Sequence, residues 1–380
     1  MTASLYLYLF VALFVTTSIF GLLFLTQFSE KRETMRNYRI AKRLLAIAFF
    51  CVAIGNLAEI LGYTGKPIDT SSQDFFLTQI VTLSIGVTQA FILTLVCVLL
   101  LDIRSVDSKK LKIQIFVIVL YVFAAVATYI LLPISASKIS ILYLSAAYCV
   151  ILVYFTNYFI RRYRAFRLAM DNFYSDDVAD RMRWIAVAFY GALGTGVFAL
   201  IFIQFPFFEL SVAFNLFLLC FYTFFGIKLL NYPWQFEIIE APMAEKINDE
   251  QIQEEQNSIT KAISYGDVSH FNSDKTIENW VEEKHFLKSG ITMDDLAKFL
   301  GTNRTYISSC FNTEKGISFR QWINFLRIDE AKHIIVDNPK ITMVELASRL
   351  GYADTSTFFR QFKAKEGIQP SAWKQENLPN

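Results

Sequence analysis

Charge is scarce in the first 240 residues of this chain. Residues 1–240 hold 19 Lys and Arg and 14 Asp and Glu, against 17 and 20 in residues 241–380. Charged residues make up 18% of the 380, apolar ones 54%, with 37 Phe and a mean hydropathy of +0.37. A soluble domain is roughly a quarter charged. The shortage excludes a single water-soluble domain, a disordered chain and a fibrous protein, and the step near residue 240 divides the chain in two. Cysteine is also rare: Cys51, Cys97, Cys149 and Cys220 lie in apolar runs and Cys310 beyond them, with no CxxC spacing. Neither a disulfide framework nor a zinc site is supported. His270, His285 and His333 lie near no Ser/Asp or Cys constellation. With no Gly-rich phosphate loop and no histidine-kinase signature, the chain reads as a non-enzyme, and no cofactor or metal is expected.

Long apolar runs fill the first part. A helix crossing about 30 Å of hydrocarbon needs about 20 apolar residues, and seven runs qualify: 5–28, 40–63, 75–101, 112–132, 139–161, 183–205 and 209–230. The first is too long for a signal peptide, lacks a basic residue before it and shows no small-residue cleavage site. The loops after the first, third and fifth runs hold sixteen Lys and Arg, and the other loops hold Lys66 and Lys138. Basic loops stay on the cytoplasmic side, so the N-terminus is expected outside and residues 231–380 inside.

Polar residues within the runs include Asn56, Glu59, Gln79, Gln89, Asn157, Gln204 and Asn215. They read either as interhelical hydrogen bonds and interfacial solvation or, for Asn56, Glu59 and Gln79, as an outer pocket for a signal ligand. The last run has no mid-membrane Lys for a retinal Schiff base, since Lys228 sits at its cytoplasmic end. No pair of broken runs suggests a transporter. Gly191, Gly194 and Gly196 read as permitting close helix contact. Asn231-Tyr232-Pro233-Trp234 ends the seventh run and places aromatics at the interface. Residues 241–285 then carry 10 acidic and 4 basic side chains, a solvated acidic tether.

The last part contains a repeat. Thr292-Met293-Asp294-Asp295-Leu296-Ala297-Lys298-Phe299-Leu300-Gly301 returns as Thr342-Met343-Val344-Glu345-Leu346-Ala347-Ser348-Arg349-Leu350-Gly351, with six of ten positions identical. Farther on, Phe311 to Ile317 matches Phe362 to Ile368. Each copy reads as helix, Gly turn, helix. Thr292 and Thr342 are N-cap candidates, and Gly301 and Gly351 end the first helices. The second helices are expected at 303–313 and 354–365. Apolar positions from Phe319 to Ile335 suit one connecting helix, about 318–337, ended by Asn338-Pro339. Ile277, Trp280 and Val281 suggest an opening helix.

At these motifs the region from about 277 to 375 resembles the DNA-binding domain of the AraC/XylS family of bacterial transcription regulators. The likeness is carried by the paired units, by Ser318-Phe319-Arg320-Gln321-Trp322-Ile323-Asn324-Phe325-Leu326-Arg327-Ile328, by Gly351-Tyr352 through Phe358-Phe359-Arg360-Gln361-Phe362-Lys363, and by Gly367-Ile368-Gln369-Pro370 with Trp373. The rest is similar to membrane-anchored members. The expected fold is all-α: a seven-helix transmembrane bundle (1–230), an acidic linker (231–275) and a cytoplasmic domain (276–380) with two helix-turn-helix units joined by a long helix.

The resemblance implies that a second helix of each unit enters the major groove. Its exposed positions would be Asn303, Arg304, Thr305, Ser308 and Ser309 in one unit, and Thr355, Ser356, Phe359, Arg360 and Lys363 in the other. Arg304 and Lys363 read as phosphate contacts, Arg360 as the best reader of a base edge, and Phe359 as either core or a thymine-methyl contact. The expected partners are double-stranded promoter DNA and the lipid bilayer, with RNA polymerase, a second copy of the chain and an unidentified signal ligand beyond them. A reading of another class is a seven-helix receptor or transporter whose helix-turn-helix tail binds a protein.

Overall fold

The computed structural model describes residues 2–26, 35–62, 72–101, 108–233, 273–302, 304–309, 311 and 316–377. Among these the chain is all-helical. It divides into two compact units: Met1–Arg164 with Met182–Ala244, and Ala165–Arg181 with Glu245–Asn380. Most of the acidic tether, residues 234–272, lies outside the described residues.

The first unit is built on seven long apolar helices: α1 (Thr2–Thr26), α2 (Arg36–Gly62), α3 (Gln73–Leu101), α4 (Ser108–Leu131), α5 (Ser137–Phe173), α6 (Arg183–Gln204) and α7 (Phe208–Leu230). All seven are long and apolar enough to cross a membrane. Proline punctuates them: Pro133 follows α4, and Pro206 separates α6 from α7, because a proline disfavours the helical conformation of the residue before it. The core gathers Leu83 and Val87 of α3, Tyr121 of α4, Tyr148, Leu152 and Phe155 of α5, and Ile203 of α6. Outward faces are apolar too. Phe116, Val119, Leu120, Phe123 and Ile130 of α4 are exposed.

Several polar side chains in this unit bond to backbone carbonyls. Gln79 Nε2 donates to Ile203 O (3.0 Å) and Gln89 Nε2 to Ala48 O (2.7 Å), both across helices. Asn56 Nδ2 and Asn215 Nδ2 donate to the carbonyl four residues back in their own helices. Glycines receive rings. A Cβ on Gly21 would meet Phe50, on Gly226 Phe20, on Gly191 Phe221, on Gly194 Phe217, and on Gly86 or Gly196 Tyr148, every one within 3.2 Å. The close contact expected of Gly191, Gly194 and Gly196 is thus a ring seated in a notch. Tyr232, just after α7, is buried within the unit: it stacks on Tyr38 (5.4 Å between centroids) and donates to Leu100 O (2.7 Å).

In the second unit, α8 (Ser273–Glu282) precedes α9 (Met293–Leu300) and α10 (Arg304–Ser309). The long α11 (Phe319–Asp337) then leads to α12 (Met343–Arg349), α13 (Thr355–Glu366) and α14 (Pro370–Asn377). Two cores form, one around each repeat. Leu296, Leu300, Ile307 and Phe311 pack with Trp280 in the first; Leu346, Leu350, Phe358 and Phe362 make the second. Helix α11 serves both, giving Phe319, Trp322 and Ile323 to one core and Ile328, Ala331 and Ile335 to the other.

The repeats also share their turns. Gly301 and Gly351 have φ of +63° and +77°, a region that glycine enters without steric cost. The next residue donates back to an alanine carbonyl in both copies, Thr302 N to Ala297 O (3.1 Å) and Tyr352 N to Ala347 O (3.0 Å). The caps differ. Thr292 and Asp295 form a reciprocal capping box, whereas Thr342 accepts from Glu345 N without the return bond. Thr292→Ala should cost about 1 kcal/mol, and Thr342→Ala less, read as shifts in the denaturation midpoint of the intact protein. A larger loss at Thr342 would contradict this account of the caps.

Candidate nucleic-acid interface

Helix α13 begins where Asp354 caps it, accepting from Thr357 N (2.7 Å) and Thr357 Oγ1 (2.8 Å). The two bonds from Thr357 hold the Asp354 carboxyl below its ordinary 3.8, so the cap stays charged, and the negative charge suits the helix N-terminus. The sequence reading began this helix one residue early and missed the cap, although Asp followed three residues later by Thr is a recognisable start signal.

Two sides of α13 differ. Phe358 and Phe362 are fully buried and anchor the helix in the second core. Ser356, Arg360 and Lys363 are exposed. Their spacing of four and three residues places them in one row on the helix surface. Thr355 and Phe359 are half-buried, and Phe359 packs at the edge of the second core beside Phe358. The exposed row is polar and cationic, which suits both phosphate and the acceptor edge of guanine.

In the first repeat, Arg304 opens α10 and lies mostly covered. Its guanidinium sits over the Phe173 ring (5.0 Å) and 4.0 Å from Asp294. Ser308 follows one turn on and is half-buried. Asn303 and the side chains of Thr305 and Ser309 lie outside the described residues, as does the side chain of Glu59. Of the suggested pocket residues in the first unit, Asn56 and Gln79 each bond to a backbone carbonyl, as given above.

Sequence reasoning missed the segment Ala165–Arg181, which belongs to the second unit. It consists of the end of α5 and the turn after it. Backbone groups tie it to the first repeat: Ser175 N donates to Ile291 O (3.1 Å), and Tyr174 forms an isolated antiparallel bridge with Thr292. Its carboxylates meet four arginines, one of them Arg167 of the segment itself, 4.0 Å from Asp177 and 3.7 Å from Asp180. Arg320 pairs with Asp171 and with Asp177 at 2.8 Å each. Arg327, fully buried, lies 3.6 Å from Asp176. Arg360 of the exposed row donates to Asp177 (2.9 Å) and sits 3.9 Å from Asp180. Burial opposes the charge on Arg320, but Asp177 and Asp171 outweigh it and favour the cation. Asp177 is therefore shared between a buried arginine and an exposed one.

Arg327 also joins the repeats. It donates from Nε to Phe286 O and from Nη2 to Lys288 O, both 2.9 Å, and its guanidinium lies 5.2 Å from the Tyr352 ring centre. Burial pushes the Tyr352 phenol well above its ordinary range, which keeps it neutral beside the cation.

Residues 296–376 match a family described as "Helix-turn-helix domain". An uncharacterised HTH-type transcriptional regulator of Bacillus subtilis is 34% identical over 92 residues, 24% of this chain and 12% of that protein. The Msm operon regulatory protein of Streptococcus mutans is 28% identical over 88 residues (23% of this chain, 31% of the relative). The raffinose operon transcriptional regulatory protein of Pediococcus pentosaceus is 29% identical over 86 residues, again 23% and 31%. The chain thus spans less than a third of the length of each of these relatives. No solved structure matches.

Proposed function

From the premise that the C-terminal part carries a helix-turn-helix domain of the AraC type, we propose that this chain is a membrane-bound, sequence-specific DNA-binding regulator of transcription. The observation that carries the reading is the doubled helix–Gly–helix unit hung on one connecting helix. Such a pair can offer a second helix to successive major-groove turns, about 34 Å apart, so that one copy reads two half-sites. The exposed row Ser356, Arg360 and Lys363 supplies the cationic surface for the second of them. Residues 286–380 carry 13 basic and 10 acidic side chains, so binding is salt-sensitive without being exceptionally tight.

The membrane part of the proposal rests on two observations. Seven apolar helices leave large hydrophobic side chains on outer faces, as on α4, and contiguous exposed apolar surface marks a membrane or a partner. The alternation of basic loops supports an N-terminus outside and a DNA-reading part in the cytoplasm. In this arrangement residues 1–230 anchor or sense, residues 231–275 tether, and residues 276–380 read DNA.

The test is a mobility shift by the intact protein in lipid nanodiscs, using duplexes selected from a random pool. Sequence-selective, salt-dependent binding is expected. Absence of selective binding, with capture of a protein by residues beyond 275, would replace this reading with the receptor-like one. Arg360→Ala should cost roughly 1–3 kcal/mol at a single base position if Arg360 reads a base edge. A uniform loss across all duplexes would make it a phosphate contact.

A further inference from the structure

The reading row of α13 does not stand clear of the chain. We propose that the acidic turn Asp171–Asp180 is an intramolecular competitor of DNA, docked on the second reading helix, and that duplex binding displaces it from Arg360. This rests on the DNA-binding reading above.

A carboxylate presents to a guanidinium the same planar pair of acceptors that a phosphate does. Asp177 and Asp180 lie against Arg360 at 2.9 and 3.9 Å, and both also face Arg167 of the same segment, at 4.0 and 3.7 Å. Residues 165–181 contain four aspartates and two arginines, a local negative field that opposes an approaching phosphate backbone. The same turn is fastened elsewhere, by Ser175 to Ile291 and by Asp171 and Asp177 to Arg320. Those fastenings hold the carboxylates in place, so that the contact with Arg360 is made without ordering a free loop. The division of labour is visible in exposure: Arg320 is 11% exposed and Arg360 54%. The first pair anchors the turn and the second is open to exchange. The turn is also continuous with α5 and α6 in the chain, so a change that reorients those helices acts on it directly.

Thermodynamic reciprocity makes the proposal testable from both sides. The intact protein in nanodiscs is titrated with a mixed-sequence duplex of about 40 base pairs, long enough for two half-sites one helical turn apart. Asp180→Asn leaves both partners of Arg320 in place and should tighten binding about threefold. Asp177→Asn with Asp180→Asn should tighten it about tenfold, within the usual range of coupling between sites. In an Arg360→Ala background the gain from either change should shrink to the smaller part that comes from the turn's negative field. In the wild type, hydrogen exchange at residues 174–180 should rise when duplex is bound. Unaltered or weaker binding by Asp180→Asn, or protection of 174–180 that DNA does not reduce, overturns the proposal while leaving the DNA-binding reading intact. If neither wild type nor variants bind duplex, both readings fail together.

Discussion

Gly351→Ala should destabilise the second unit by roughly 4 kcal/mol, a loss at the exceptional end for one substitution. The same change at Gly301 should cost about 1–2 kcal/mol, the ordinary penalty for a side chain in the left-handed region. The two glycines hold equivalent places in the repeat, with similar φ and matching turn bonds. Their surroundings differ. A Cβ on Gly301 meets nothing within 4 Å, whereas on Gly351 it would collide with the carbonyl of Leu287 and approach Arg327 Nη2 at 3.0 Å. The obstacle is backbone, which cannot rotate away. Limited proteolysis of the intact protein at rising denaturant measures both, and equal losses at the two glycines would refute the steric explanation.

Arg327→Met should cost roughly 3–5 kcal/mol, the range seen when one partner of a buried charged network is removed. Methionine restores much of the volume but no donors, so the buried Phe286 O and the partly buried Lys288 O both lose the guanidinium. Arg327→Lys should recover only part of the loss, because a single ammonium lacks the fork that reaches two carbonyls at once. A loss below about 1 kcal/mol for Met would show that water replaces these bonds. Gly351 and Arg327 share Leu287 and its neighbours, so the double variant should lose less than the sum of the two.

Much of this architecture was legible in the chain itself. Apolar run length located seven helices to within a few residues, since few polar side chains interrupt them. Helix α5 is the exception. It was expected to stop at 161 and continues to Phe173. Arg161, Arg162 and Arg164 masked a stripe that persists through Phe166, Met170 and Phe173, all buried, and four- and three-residue spacing there could have revealed it. The repeat, the threonine caps of its first helices and its glycine turns were readable because each depends on residues within one helical turn. The role of the Asp171–Asp180 turn was not. Its partners Arg320 and Arg360 lie 149 and 183 residues away, and no local pattern encodes such a pairing. The run of aspartates in an otherwise basic loop was the one available signal. Arg327 was hidden in the same way, a cation in an amphipathic helix that reads as surface until its carbonyl partners are known.

The rings seated on glycines link the helices of the first unit in series: Phe50 on Gly21, Phe20 on Gly226, Phe221 on Gly191, and Tyr148 between Gly86 and Gly196. Each works as a tooth in a gear train. None of the helices joined in this way, which exclude α4, can slip lengthwise without unseating an aromatic from its socket. Any rearrangement of this bundle would therefore have to move the linked helices together or leave them still.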